Sequence, residues 1–421
     1  MIPGDPRLHV VLLVLLVGTQ GFFTWLSIRN VQYSAGRVEQ ESGWLADHLD
    51  IENPGEIIDY NRIKTAVSEL QSWIGLAFLL GALYAGLFRE AVLVIESLGL
   101  GPIGGGVIFF IGLTVLVQVF GLPFDVVDTF VIEELFDFNT QTLGLWIRDT
   151  VLGLFLGVLM TAIITGAILA IIEFVPLWWW ALGTVFFLLF ALVMQVLYPR
   201  VIAPLFNDFD PIETGDVREA VEAVFERAGF RCEELYTMDA SRRSRHVNAY
   251  FVGFGRTKRV VLFDTLLEKM ELPEVQSVLA HELAHWQYRH VWKRMGVASI
   301  RIASVLFVLW YALRGPWLYD LFALPYTATY AALFVGLLFV LPLMQWSAPI
   351  ENWFSLAHER EADAFAVAVM DDGEPMANAL AKLGRENLAN PFPHPTYATF
   401  HYSHPPIPER IRRIEQEAAS S

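Results

Sequence analysis

The chain has 421 residues, of which 55% are hydrophobic and only 18% are charged. Soluble globular proteins carry about 25% charged residues, so this composition indicates a membrane protein. The formal net charge of −16 excludes a general nucleic-acid-binding protein, which needs a basic surface. The single cysteine, Cys232, excludes both an intrachain disulfide and a metal site built from several cysteines.

Seven segments are long and apolar enough to cross a bilayer, which takes about 20 residues. In chain order they are residues 8–28, 67–87, 103–124, 151–172, 177–198, 296–313 and 326–346. No small-residue cleavage site follows the first segment, so we interpret it as a retained anchor rather than a signal peptide. The prediction is a mainly α-helical integral membrane protein, with five transmembrane helices in residues 1–199 and two more in residues 295–346.

Two polar segments, residues 200–294 and 347–421, hold eight of the ten histidines and are predicted to form the catalytic part. Seven spans would put both segments on one side of the membrane and the N-terminus on the other. Short cytoplasmic loops are enriched in Lys and Arg, and the first loop contains Arg37, Arg62 and Lys64. We therefore predict that both polar segments face the cytoplasm, at the cell membrane if the source is prokaryotic.

The motif His281-Glu282-Leu283-Ala284-His285 carries the clearest chemical signal. It lies in a predicted helix, residues 273–290, in which apolar residues recur at helical spacing. Residues four apart share a helix face, so His281 and His285 can bind one metal ion while Glu282 lies beside it as a general base. This is the arrangement of a zinc hydrolase, although two histidines in a helix at a membrane surface can also be ordinary helix residues.

A second cluster, residues 358–366, offers a third metal ligand. Glu359 and Asp363 are four residues apart and share a helix face, whereas Glu361 points elsewhere. Glu359 as a ligand would leave Asp363 able to accept a hydrogen bond from a ligand imidazole. His358 is the alternative ligand, and an acidic run on a helix is also common on solvated surfaces.

Three further features bear on the substrate. The developing oxyanion needs a donor or cation besides the metal, and His404 or Arg410 could supply it, unless they are a loop histidine and a surface arginine. The segment 248–252 is rich in β-forming residues, so Asn248, Ala249 and Tyr250 could lie on an edge strand that pairs with an extended peptide, or on an ordinary structural strand. Arg242, Arg243 and Arg245 form a basic cluster that could attract a C-terminal carboxylate or membrane head groups, although such a cluster is more often a solvated face.

With these motifs the chain resembles the type I CAAX prenyl endopeptidases, integral-membrane zinc proteases related to the yeast a-factor-processing enzyme. The resemblance covers nearly the whole chain after about residue 110. The matching residues are 122–124, 129–134, 138–139, 141–145, 197–199, 204–207, 241–244, 248–251, 261–267, Glu359, 362–365, 404–406 and Arg410.

The resemblance implies seven membrane helices that enclose a water-filled chamber, and a zincin-like catalytic part with a small β element. It implies one Zn²⁺ per chain, near the cytoplasmic end of the chamber. The implied site residues are His281, His285 and Glu359 as metal ligands, Glu282 as the base, Asp363 as the partner of a ligand, and His404 and Arg410 as groups that position the substrate or stabilise the intermediate.

The resemblance also implies an activity, which is cleavage of isoprenylated C-terminal CaaX peptides with loss of the last three residues. The predicted partners are therefore a peptide or protein substrate, prenylated or otherwise membrane-associated, and the surrounding lipid. One alternative is a general quality-control zinc protease of the membrane, whose family has fewer spans. Another is a transporter or channel, because Gln118 and Arg301 lie within predicted spans, but this leaves the metal motif unexplained.

Overall fold

The computed structural model describes residues 3–252 and 259–420. It is mainly helical and contains one small sheet, which confirms the predicted fold class. Within the described residues, six helices are long and apolar enough to cross a membrane. Two consecutive helices, Thr329–Gln345 and Ala348–Met370, are bent by 46° at the break between them and together make a possible seventh span.

The six helical spans each overlap one of the first six predicted segments, and Thr329–Gln345 overlaps the seventh. Spans 1 to 6 are Pro6–Gln40, Pro54–Tyr84, Gly101–Leu135, Leu143–Phe174, Trp179–Phe206 and His290–Ala312. Short π-helical turns at Val14–Gly18, Asp128–Ile132 and Tyr198–Ile202 interrupt spans 1, 3 and 5. Large apolar side chains on the spans are exposed, as expected for surfaces that face lipid.

The other helices and the sheet lie between and after the spans. The helices are Ser42–Leu49, Leu87–Ser97, Asp216–Arg227, Asp264–Lys269, Leu272–Gln287, Trp317–Asp320, Glu374–Glu386, Pro395–His401 and Ile407–Ser420, with a 3₁₀ turn at Ala240–Arg242. The strands are β1 (Phe209–Pro211), β2 (Glu234–Met238), β3 (Ala249–Val252) and β4 (Arg259–Phe263). Their order is β1-β2-β4-β3, so β3 is an edge strand, in agreement with the expectation for residues 248–252.

The histidine motif lies on the helix Leu272–Gln287, which we call the motif helix. The backbone N–H of Glu271 donates to the Glu274 carboxylate over 2.7 Å, which caps its first turn. The helix was predicted to continue to residue 290, and this was wrong. The chain turns at Arg289, which adopts left-handed backbone angles with φ of 56°, and His290 begins span 6.

The two largest hydrophobic cores lie at opposite ends of the molecule, because spans 1 and 2 each reach one core with their first residues and the other core with their last residues. Val38 and Ile57 belong to the core that surrounds the motif helix, and Leu12 and Leu83 belong to the other core. At the second end the N-terminal residue Gly4 packs against the backbone of Leu321, where an added Cβ would be 2.7 Å from its Cα. The N-terminus and the loop after span 6 therefore lie together, away from the motif helix.

Candidate active site

Two helices bring the three candidate metal ligands together. The motif helix carries His281 and His285, and the helix Ala348–Met370, which we call the glutamate helix, carries Glu359. The ligand atoms of all three residues lie within 4.8 Å of one another. Nε2 of His281 is 3.2 Å from Oε2 of Glu359, and Nε2 of His285 is 3.5 Å from Oε1.

Asp363 fixes the orientation of the His281 ring. Its Oδ1 lies 2.9 Å from Nδ1 of His281. A carboxylate only accepts hydrogen bonds, so Nδ1 carries a hydrogen, and in the neutral imidazole this leaves Nε2 with a lone pair on the side of Glu359. Arg410 in turn holds Asp363 with two hydrogen bonds, of 2.9 Å from Nε and 2.5 Å from a terminal nitrogen. All three residues are buried.

A second chain of contacts orients His285. Its Nδ1 lies 3.0 Å from Nδ1 of His290, and Nε2 of His290 lies 2.9 Å from Oε2 of Glu361. Because Glu361 accepts, Nε2 of His290 donates to it, and Nδ1 of His290 accepts from His285. Nε2 of His285 then also presents a lone pair to Glu359. The ring of His358 stacks on His290 with centroids 4.0 Å apart.

His290 and Glu361 were not among the predicted site residues. His290 had been placed at the end of the motif helix, and Glu361 had been expected to point away from the site. One signal was present in the sequence: a histidine five residues after His285, at the start of an apolar span. The role of this histidine became apparent only in the structure, where the turn at Arg289 places the His290 ring beside His285.

The arrangement fits a divalent cation. Two imidazole lone pairs converge on one carboxylate, whose buried Oε2 has no hydrogen-bond partner within the described part of the chain. Such an atom is costly unless a positive charge satisfies it. Burial alone would lower the pKa of His281, but contacts with Asp363 and Glu359 raise that pKa to about 9. These groups therefore favour a positive charge between them. Burial, reinforced by the nearby His281, lowers the pKa of His285 to about 4, so its imidazole is neutral as ligation requires.

Glu282 and His404 lie beside these ligands. Glu282 is half-buried and makes no side-chain hydrogen bond or ion pair with another described residue. Burial raises its pKa, and the negative charge of Glu359 adds to this effect. Nε2 of His404 is 3.4 Å from Oε1 of Glu359, and 59% of its side chain is exposed. His404 thus lies on the open side of the site, where a substrate can reach it.

The candidate substrate strand is β3, whose described pairing is with β4 on one side only. Asn248 precedes it and accepts a hydrogen bond from the Ala249 N–H over 2.8 Å, while Tyr250 lies within it. The following residues 253–258 lie outside the described part of the chain. The sequence-predicted basic cluster of Arg242, Arg243 and Arg245 lies near this strand, but Arg242 and Arg243 form ion pairs with aspartates.

Comparison with known proteins gives a consistent result along the chain. Residues 41–208 match the family model for the CAAX prenyl protease N-terminal region with five membrane helices, and residues 211–418 match Peptidase family M48. The CAAX prenyl protease 1 homolog of Arabidopsis thaliana is 36% identical over 334 residues, which are 77% of each chain. The probable CAAX prenyl protease 1 of Schizosaccharomyces pombe is 30% identical over 436 aligned positions, covering 98% of this chain and 90% of the other.

The crystal structure of S. mikatae Ste24p resembles this fold with a TM-score of 0.88 and 26% identity, covering 98% of this chain and 99% of that chain. Fold and site together define a multi-pass membrane metalloprotease. The chain belongs to Peptidase family M48, and within it to the zinc metalloproteases of the CAAX prenyl protease type. The predicted resemblance and enzyme class are thereby confirmed, and the transporter alternative loses its support.

Proposed function

We propose that this protein is a zinc endopeptidase that cleaves near the C-terminus of membrane-associated peptides, including prenylated CaaX-type peptides. The observation that carries the proposal is the convergence of His281, His285 and Glu359, with one buried carboxylate oxygen left without a hydrogen-bond partner among the described residues. The names of the relatives, which are CAAX prenyl proteases, support the substrate class.

In this proposal, His281, His285 and Glu359 hold one zinc ion, which when bound polarises the scissile carbonyl and lowers the pKa of the attacking water. Glu282 accepts a proton from that water and delivers it to the leaving amine. His404, exposed beside Glu359, donates a hydrogen bond to the oxyanion as it develops.

The remaining site residues position the metal ligand His281 and the substrate. Arg410 keeps Asp363 ionised and fixed, and Asp363 holds the His281 ring with Nε2 directed at the metal position. The edge of β3, with Asn248, Ala249 and Tyr250, pairs with the extended substrate backbone and holds the scissile bond near Glu282. Residues 200–294 and 347–421 are the catalytic segments, and we place them on the cytoplasmic side.

The test is a cleavage assay on the purified protein in lipid nanodiscs, with a farnesylated CaaX peptide and its unprenylated twin. We expect zinc-dependent release of the C-terminal residues, faster from the farnesylated peptide, and loss of release when a chelator removes the metal. The Glu282→Gln variant is the control for contaminating proteases. A preparation that contains zinc but cleaves neither peptide would refute the proposed function. Equal cleavage of both peptides would favour a general membrane quality-control protease instead.

A further inference from the structure

A large cavity lies between span 5, span 6, the helix Thr329–Gln345 and the glutamate helix. Its volume is 1140 Å³, larger than the roughly 300–1,000 Å³ of pockets that hold drug-sized ligands. Most of its wall is apolar, with Val305 and Leu309 on one side and Leu337 and Leu341 on the other. The cavity can therefore accept several apolar side chains at once.

The cavity approaches the candidate metal site at two points, through residues that contact members of the site. His358 lines it and stacks on His290, the residue that contacts the candidate ligand His285. Ser403 lines it and lies 2.9 Å from Nδ1 of His404, whose other ring nitrogen approaches Glu359. A peptide that extends from the reacting centre past His358 or Ser403 would enter the cavity.

The cavity also carries an excess of positive charge. Its lining contains three basic residues, Lys293, Arg294 and Arg301, against one acidic residue, Glu351. Arg301 and Glu351 neutralise each other in an ion pair. Neither Lys293 nor Arg294 forms an ion pair or side-chain hydrogen bond with another described residue. Two positive charges are thus available to an anionic ligand.

Of the two arginines that line the cavity, Arg294 lies nearer the candidate site. It follows His290 by four residues on the same helix face, about 6 Å along the axis of span 6. An arginine is also suited to a carboxylate, because its planar guanidinium can form two parallel hydrogen bonds with the two oxygens.

We propose that Arg294, assisted by Lys293, binds the C-terminal carboxylate of the substrate while the apolar wall of the cavity holds the side chains of the last residues. This inference rests on the proposed function, since it concerns the part of the peptide that is released. An extended chain advances about 3.3–3.6 Å per residue, so a fixed carboxylate site limits how many residues separate the scissile bond from the C-terminus. Arg294 would then determine the length of the released peptide.

The test compares two substrates that differ only at the terminus, one ending in a free carboxylate and one in a carboxamide, with zinc-loaded protein in nanodiscs. We expect the wild type to cleave the carboxylate peptide with about tenfold higher kcat/KM, expressed mainly in KM, as a charge-assisted hydrogen bond implies. In Arg294→Gln this ratio should fall to near one.

Arg294→Lys keeps the positive charge, so its ratio should lie between the wild-type ratio and one. This variant tests the inference if Arg294→Gln does not fold. Arg289→Gln removes a positive charge five residues earlier, outside the cavity lining, and should leave the ratio unchanged. Product inhibition is an independent measurement. The released peptide with a free carboxylate should competitively inhibit cleavage by the wild type, and the same peptide with a terminal amide should not.

Equal cleavage of both termini by an active wild type would overturn the inference and leave the proposed function intact. So would a carboxylate preference that survives undiminished in Arg294→Gln. The inference would also be wrong if the protein cleaved both termini equally in nanodiscs of neutral phosphatidylcholine and lost this cleavage in nanodiscs of anionic phospholipid. That result would indicate that the cavity binds lipid phosphate. Absence of cleavage in every arm would refute the proposed function itself.

Discussion

Nδ1 of His285 lies 3.0 Å from Nδ1 of His290, the first residue of span 6. His290 is fully buried, and its other nitrogen meets Glu361 on the glutamate helix. The two helices that carry the candidate metal ligands are therefore joined twice, once by the ligands and once by this histidine contact. His290 thus connects the candidate metal site with the start of span 6. The next turn of span 6, with Lys293 and Arg294, lines the cavity.

The first prediction concerns His290. Loss of a residue that orients a metal ligand typically reduces metal affinity about 10–100-fold. His290→Ala should weaken zinc binding to this extent, measured by competition with a chelator of known affinity. Glu361→Gln should have a smaller effect, because an amide oxygen can still accept from His290. Arg360→Gln changes a residue of the glutamate helix whose exposed ion pair is with Glu409 of the C-terminal helix; it is the control and should bind zinc like the wild type. Unchanged zinc affinity in His290→Ala would show that the contact has no orienting role.

The sequence was sufficient to predict the spans and the three residues that converge as candidate metal ligands. Hydropathy reports spans directly, and a helical i, i+4 spacing already places His281 beside His285. The turn at Arg289 was not predictable in this way, because neither Arg289 nor its neighbours is a glycine or proline that marks a helix end. The roles of His290 and Arg294 depend on that turn and on packing between distant helices, so they required the structure.

The second prediction concerns the metal ligands. The purified protein should contain about one zinc ion per chain, because the site offers one set of three ligands. His281→Ala, His285→Ala and Glu359→Ala should each lose most of this metal by elemental analysis. His48→Ala alters a histidine that stacks on Trp44, outside the candidate site, and should retain it. Full zinc content in any of the three ligand variants would remove that residue from the ligand set.

The third prediction separates the base from the ligands. Glu282→Gln should keep its zinc and lose roughly 10²–10⁴-fold in turnover, the typical contribution of a positioned acid–base group. Zinc content and peptide cleavage are measured on the same preparation. A variant that lost its metal, or one that cleaved at a rate close to the wild type, would contradict the role of Glu282 as the base.

The fourth prediction concerns the buried pair of Arg410 and Asp363. Arg410→Met leaves the Asp363 carboxylate buried without its arginine and should destabilise the protein by about 3–5 kcal/mol. The double variant Arg410→Met with Asp363→Leu removes both charges and should regain much of this stability. It should still bind zinc weakly, because His281 has lost the group that fixes its orientation. Denaturation measured beside chelator competition distinguishes the two effects, and normal zinc affinity in the double variant would refute the orienting role of Asp363.

The last prediction concerns membrane topology. The packing of Gly4 against Leu321 puts the N-terminus and the loop after span 6 at one end. At the other end, Arg385 of the C-terminal segment donates to Asp50, in the loop before span 2, over 2.6 Å. Positive charge in the first loop then predicts that the end with Arg385 and the active site faces the cytoplasm.

Single cysteines and a membrane-impermeant thiol reagent can test this orientation in a Cys232→Ser background. Cys232 itself should react slowly, because burial raises the pKa of its thiol to about 11. Cysteines at the exposed positions Pro3 and Pro316 should be labelled in intact cells, and cysteines at Gly55, Asp216 and Gln416 only after lysis. Labelling of Gln416→Cys in intact cells would show that the topology is the opposite of the predicted one. An inverted protease would meet C-termini outside the cytoplasm, so its substrates would have to be sought among exported proteins.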